Sequence, residues 1–341
     1  MSVARALLKC TAAPPPPPTG IGSWVTGSTN GWVSRSTTDS ATWTALPQGL
    51  NSGYQYAILH IANSGEYWVS AASDGYASRS TDSGATWTTL PQGLNSGNVT
   101  ANFNDVASSS STFIAVGTQG WASRSTDNGA TWAALTRGLN GTGGTTTGYF
   151  CVKGSGTTWV AGGYLTYASR STNNGSSWTA LPPKLGNSGM DPNSPWNDLA
   201  VVGTTWVIVG GGGYASRSTD NGATWTPLPQ GLNSGSSNTG FGLVGIAASG
   251  NTFIAIAGDG YASRSTDSGA TWTALPRGLS TGITTPLSAI GVNGSTWVAG
   301  ATDGYASHST DNGLTWTTLP QGLGGAGTSF TEYVSISANN L

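Results

Sequence analysis

One octapeptide, Ser-Thr-Asp-(Ser/Asn)-Gly-Ala-Thr-Trp, recurs along this chain, and its recurrence limits the available folds more than any other feature. It ends at Trp87, Trp132, Trp225 and Trp272, returns with Leu for Ala before Trp316, and has weaker copies ending at Trp43 and Trp178. Successive tryptophans stand 44, 45, 46, 47, 47 and 44 residues apart. That interval is the length of one four-stranded β-propeller blade with its loops, so seven copies predict seven blades. Within one interval the apolar residues fall into four short runs, 56–62, 67–71, 76–80 and 86–90, separated by turn residues and read as strands A to D.

Aromatic residues repeat in step with the octapeptide. Strand B carries Trp24, Trp68, Phe113, Trp159, Trp206, Phe253 or Trp297, and strand C opens with Trp32, Tyr76, Trp121, Tyr167, Tyr214, Tyr261 or Tyr305. Large flat side chains at fixed places fill the space between neighbouring blades. The first repeat starts directly at strand B, at Trp24, whereas residues 332–337 read as a strand A with no blade after it. The last strand is therefore expected to complete the first blade and cover an edge that would otherwise pair with another chain. With 52 glycines among 341 residues and abundant Ser, Thr and Asn, short strands and tight turns are favoured over helix. The expected fold is all-β: a seven-bladed propeller of four-stranded antiparallel blades over residues 21–341, preceded by a leader, 1–20, that holds the run Pro14 to Pro18.

Ser-x-Asp-x-Gly-x-Thr-Trp resembles the Asp-box of sialidases, sortilin-type receptors, some glucanases and photosystem assembly factors. The resemblance covers nearly the whole chain after residue 20 and implies the propeller fold. It says little about function, because these families share blades and differ in what the blades carry. Chemically the motif is a hairpin: the carboxylate accepts hydrogen bonds from turn N–H groups, the glycine adopts positive φ, and the indole anchors the turn. Asp82, Asp127, Asp220, Asp267 and Asp311, with Trp87, Trp132, Trp225, Trp272 and Trp316, are accordingly read as structural. Asn173 in the fourth repeat, and Thr38 and Ser40 in the first, depart from the motif and predict looser hairpins. Strand C carries one arginine per repeat (Arg35, Arg79, Arg124, Arg170, Arg217 and Arg264), with His308 in the seventh. Sialidases hold a carboxylate with three arginines, but a residue present once per blade does not converge on one ligand, so these are read as bonding carbonyls or a neighbouring Asp. The Leu-Pro-Gln-Gly-Leu turns, with Arg137, Lys184 and Arg277 as basic variants, are read as solvated surface.

Residues that break the repeat are the candidates for function. Trp196 is the one tryptophan outside the strand and hairpin positions, and is placed with Asp191 in an insertion-like loop, Gly186 to Asp198. Counting back eight residues from the strand B aromatic gives His60, Asp105, Cys151, Asp198, Gly245 and Ala289 on strand A, the innermost strand. His60, Asp105 and Asp198 are thus expected at the central channel, where with Trp196 and Asp191 they form a surface able to stack on a sugar ring and bond its hydroxyls. They are placed on separated blades with no short ligand spacing, so neither a metal nor another cofactor is expected.

Several function classes are disfavoured. The 12 Lys and Arg against 14 Asp and Glu offer no basic surface for nucleic acid. No segment has the roughly 20 apolar residues of a membrane span. Cys10 and Cys151 stand in unlike contexts and do not form a disulfide framework. Glu66 and Glu332 are the only glutamates, which leaves Asp105 and Asp198 as the best pair for glycoside hydrolysis, a chemistry that needs two carboxylates about 5 to 10 Å apart. The favoured reading is a non-catalytic binding or structural module, an appended part of a larger assembly such as a virion, tail fibre or cell surface. Its expected ligand is a glycan or cell-surface group used in host attachment, and its leader is expected to dock on a protein partner. The alternatives are a glucanase- or sialidase-like hydrolase and an assembly factor that cradles a protein.

Overall fold

The structure, a computed structural model, describes residues 22–51, 58–97, 102–140, 148–233, 242–279, 286–319 and 333–338. The leader, and with it the expected tether, lies outside the described residues. Seven four-stranded antiparallel sheets follow one another as blades, and among the described residues the only helical turns are short 3-10 segments. Blade one is composed as expected: its innermost strand is Tyr333–Ala338, paired antiparallel with Trp24–Ser28 in the register Val25 to Ser337 and Thr26 to Ile336. The chain thus closes its ring by sheet hydrogen bonds between its two ends.

Two repeated devices join the blades. The first is apolar: Trp24, Trp68, Trp159, Trp206 and Trp297, with Phe113 and Phe253, are fully buried, each in the column expected for strand B. The second is polar and runs in one direction. Arg79 donates from Nε to the carbonyl of Asn128 in the next blade's hairpin at 2.7 Å, and Arg35, Arg124, Arg170, Arg217 and Arg264 repeat the bond to Ser83, Asn174, Asn221, Ser268 and Asn312. At the seventh junction His308 Nδ1 stands 3.5 Å from Ser40 Oγ instead. The strand C arginines are therefore structural, as their periodicity implies.

The hairpins explain the octapeptide atom by atom. Asp82 Oδ1 accepts from Ser80 Oγ and the Thr86 N–H, both at 2.8 Å, and its Oδ2 accepts from Thr86 Oγ1 at 2.6 Å. The Trp87 indole donates to the carbonyl of Gly84, whose φ of 82° suits glycine. Asp127, Asp220, Asp267 and Asp311 make the same bonds to Thr131, Thr224, Thr271 and Thr315, and Trp132, Trp225, Trp272 and Trp316 to their own glycines. The Thr224 and Thr271 bonds hold the Asp220 and Asp267 carboxyls down to about 2. At Asp311 some burial opposes ionisation, but the Thr315 bonds prevail and again give about 2.

The two divergent hairpins keep hydrogen bonds at the same places. Asn173 accepts from Ser171 Oγ and the Ser177 N–H at 2.9 Å and adds a donor bond to Ser177 Oγ at 2.8 Å. An amide therefore serves where the other blades use a carboxylate. In blade one Thr38 Oγ1 accepts the Thr42 N–H at 2.8 Å, and Ser40 takes the glycine's place with φ at 68°. The basic turn residues are likewise less free than expected: Arg137 lies over the Trp121 ring and donates to the Gln119 carbonyl, and Arg277 lies over Tyr261 and donates to that of Asp259.

Candidate functional site

Strand A of blades two to seven contains one bulge, between its first and third residues: Ile58 and His60, Phe103 and Asp105, Tyr149 and Cys151, Trp196 and Asp198, Leu243 and Gly245, Leu287 and Ala289. A bulge leaves one residue unpaired and re-aims those beside it. Three columns of residues around the bulge matter here. The residue before the bulge is large, apolar and buried; the bulged residue is Leu59, Asn104, Phe150, Asn197, Val244 or Ser288; the residue after it is the expected channel position.

Trp196 belongs to the first column. It opens strand A of blade five, Trp196–Val202, is fully buried, and donates from Nε1 to the Thr166 carbonyl of blade four at 3.2 Å. This corrects its placement in a loop and removes it as a sugar platform, because a ring enclosed by Leu199, Trp206 and Ile208 presents no face to solvent. Asp191 is exposed and accepts the Asn193 N–H at 2.8 Å in a turn, and it does not line the channel.

Of the other three candidates, His60 and Asp198 line the channel, a cavity of about 670 Å3 bounded by the innermost strands, and Asp105 lies fully buried beside them. His60 and Asp105 lie on adjacent blades, not separated ones: Nδ1 and Oδ1 are 2.6 Å apart, off the line of a hydrogen bond. Lys153, which sequence reasoning missed, completes the cluster with its ammonium 3.3 Å from Asp105 Oδ2 and 3.9 Å from Asp198 Oδ1. Its signal was present: a lysine inside strand A, Tyr149–Ser155, in a chain with few cations. It stands two residues beyond the aligned column, whose occupant in that blade is the buried Cys151.

Both aspartates also clasp the next blade. Asp105 Oδ2 accepts the N–H of Val152 at 2.7 Å, and Asp198 Oδ2 that of Ile246 at 2.9 Å. Each N–H follows the bulge of a strand whose outer edge borders the channel and has no further strand to pair with, so a side-chain acceptor supplies its hydrogen bond. Ser335 Oγ does the same for Ile61 at the closing junction, at 3.0 Å.

Burial works against ionising Asp105, yet His60, Lys153 and the Val152 N–H together hold its carboxyl below the ordinary range. Burial raises the carboxyl of Asp198; Lys153 opposes and Asp105 reinforces that rise. Burial also disfavours the charged form of Lys153, but its two carboxylates outweigh it and keep the ammonium protonated. Burial and those same carboxylates push the Cys151 thiol well up, which makes it a poor nucleophile. Among the described residues no group of three or more His, Cys, Asp or Glu side chains is arranged to hold a metal ion, and no helix is long and apolar enough to cross a membrane.

No protein-family model matches the chain, and none of the curated proteins does. Among solved structures it is similar to YCF48 bound to a D1 peptide, at 18% identity and a TM-score of 0.56, covering 76% of this chain and 81% of that one. It is also similar to a GH74 xyloglucanase from Xanthomonas campestris, at 17% identity and a TM-score of 0.62, covering 92% of this chain but 52% of the enzyme, about half its length. The WD40 repeats of RRP9 align at 11% identity and a TM-score of 0.60, over 79% of this chain and 81% of that one. Proteins this distant in sequence share an architecture across unlike functions. The architecture is that of a seven-bladed β-propeller with four antiparallel strands in each blade.

Proposed function

We propose that this chain is an Asp-box propeller acting as a non-catalytic binding module that takes a glycan at one mouth of its central channel. The observation that carries the reading is the channel's asymmetry. Blades two, three and five supply His60, Asp105 and Asp198 after the bulge and blade four supplies Lys153 two residues further on, whereas blades six and seven hold Gly245 and Ala289 at the first of these positions and Ala247 and Gly291 at the second. A polar cluster on one wall of an open cavity is the usual chemistry of a recognition site. The leader's proline run supports attachment of the module to a larger assembly, such as a virion or a cell surface.

Hydrolysis is a weaker reading. It needs two carboxylates disposed about one glycosidic bond, whereas Asp105 is fully buried between His60 and Lys153 and each aspartate is engaged by a backbone N–H. A peptide ligand is the second reading. It is supported by YCF48, similar in fold, which has a peptide bound.

A glycan array probed with the intact protein and with Asp198→Ala tests the proposal. Binding that weakens in the variant, with the arrayed sugars left uncut, is the expected result. Absence of binding to any glycan overturns it in favour of a peptide, and cleaved sugars overturn it in favour of an enzyme.

A further inference from the structure

The bulged column places Asn104, Phe150 and Asn197 on three successive blades at the end of the channel where strand A begins. Phe150 is half-buried and meets Tyr164, which is 46% exposed, with ring centroids 4.5 Å apart and planes tilted by 50°. Tyr164 follows strand B of the same blade and is fixed by its own N–H, which donates to the Gly148 carbonyl at 3.0 Å. Asn104 and Asn197 flank this pair, each donating from Nδ2 to a carbonyl of the following blade, Tyr149 and Leu243, at 2.8 Å. With its amide nitrogen held, each asparagine keeps its oxygen as an acceptor. Lys153 lies three residues further along the strand from Phe150, about 10 Å at the rise of a β-strand.

A sugar ring has an apolar C–H face and a rim of hydroxyls, and this mouth has an aromatic pair, an asparagine on the blade at either side, and Asp198 and Lys153 further along the channel wall. The charge arrangement selects among sugars. The Lys153 ammonium is already held by Asp105 and Asp198. An acidic sugar would bring its carboxylate up to those two aspartates, which already share the Lys153 ammonium between them. We propose that Phe150 and Tyr164, with Asn104 and Asn197, form the platform for a neutral sugar unit whose hydroxyls reach toward Asp198 and Lys153. This inference rests on the glycan reading above and adds the subsite and the ligand class.

The test compares the intact chain with Tyr164→Ala and Tyr305→Ala on an array of neutral, sialylated and uronic-acid glycans, with titration of the best neutral hit. Tyr305 is exposed on blade seven and serves as the control. Phe150→Leu, which keeps an apolar group at the mouth, is measured alongside, and all variants are first checked for unchanged thermal unfolding. The expected outcome is neutral-glycan binding that falls at least tenfold in Tyr164→Ala and Phe150→Leu and less than twofold in Tyr305→Ala. Glycan binding unaffected by Tyr164→Ala, or confined to acidic sugars, overturns this inference while leaving the binding function intact. No glycan binding by the intact chain overturns both.

Discussion

Leu94 sits in the left-handed region, with φ at 44° and ψ at 40°, yet is completely buried. Leu50, Leu139, Leu185, Leu232 and Leu279 repeat the conformation at the same turn, with φ between 42° and 62°, and are as fully enclosed. A leucine there carries about 1–2 kcal/mol of backbone strain from its Cβ. The strain is tolerated because the side chain packs among Val69, Phe103, Val106 and Trp132, joining blades two and three. Leu94→Ala therefore costs about 2–5 kcal/mol through the lost methyl groups and the cavity left behind, while alanine's own Cβ keeps the strain. Leu94→Gly loses one more carbon but releases the strain. Against that relief stands the greater freedom of glycine in the unfolded chain, about 0.4–1 kcal/mol. With the buried carbon worth about 0.8 kcal/mol, the three terms nearly cancel, and glycine is expected to match alanine to within about 1 kcal/mol at this position. Equilibrium urea unfolding followed by tryptophan fluorescence, with equal denaturant slopes for the three proteins, measures both differences. A glycine variant less stable than the alanine variant by clearly more than about 1 kcal/mol refutes the reasoning.

Three further predictions concern the joints between blades. Stability holds from pH 7 to about 5 and falls below pH 4, because Asp220, Asp267 and Asp311 have folded-state values near 2, below the ordinary 3.8, and their contribution is lost as protons bind on the way down; urea midpoints measured from pH 7 to 2.5 check this, and a fall that begins above pH 5 contradicts it. Arg79→Met strands the Asn128 carbonyl and lowers stability by about 1–3 kcal/mol, read as a urea midpoint, with no effect on ligand binding at the channel. Deletion from residue 333 onward removes the innermost strand of blade one and its pairing with Trp24–Ser28, and size-exclusion chromatography is expected to show an aggregating or unfolded chain.

Periodicity made the fold legible because every blade needs the same hairpin, the same aromatic and the same closing edge, so one pattern could be read several times over. The channel column was legible for a related reason. Counting back from the strand B aromatic is safe where the register is fixed, and it found His60, Asp105 and Asp198. The bulge was not legible, because an extra residue inside a strand leaves no mark in a short apolar run. Its absence from the reading hid two things. Lys153 stands two residues past the counted column, and Trp196 two residues before it, in a column with Ile58, Phe103, Tyr149, Leu243 and Leu287. Had that column been aligned, Trp196 would have read as core. Phe150 and Tyr164 escaped notice because an isolated aromatic carries no periodic signal, and only their contact across two strands makes them a surface.

The one-way arginine bond makes each of blades two to six complementary to a copy of itself, with a donor on one flank and a waiting carbonyl on the other. Head-to-tail interfaces of this kind close into rings when the turn between units permits. A duplicated or deleted blade would find its polar partners already in place, leaving ring size to the wedge angle between sheets. The blade is in that sense an interchangeable part, and tandem duplication of about 45 codons is the change in coding sequence that such a ring accommodates most easily.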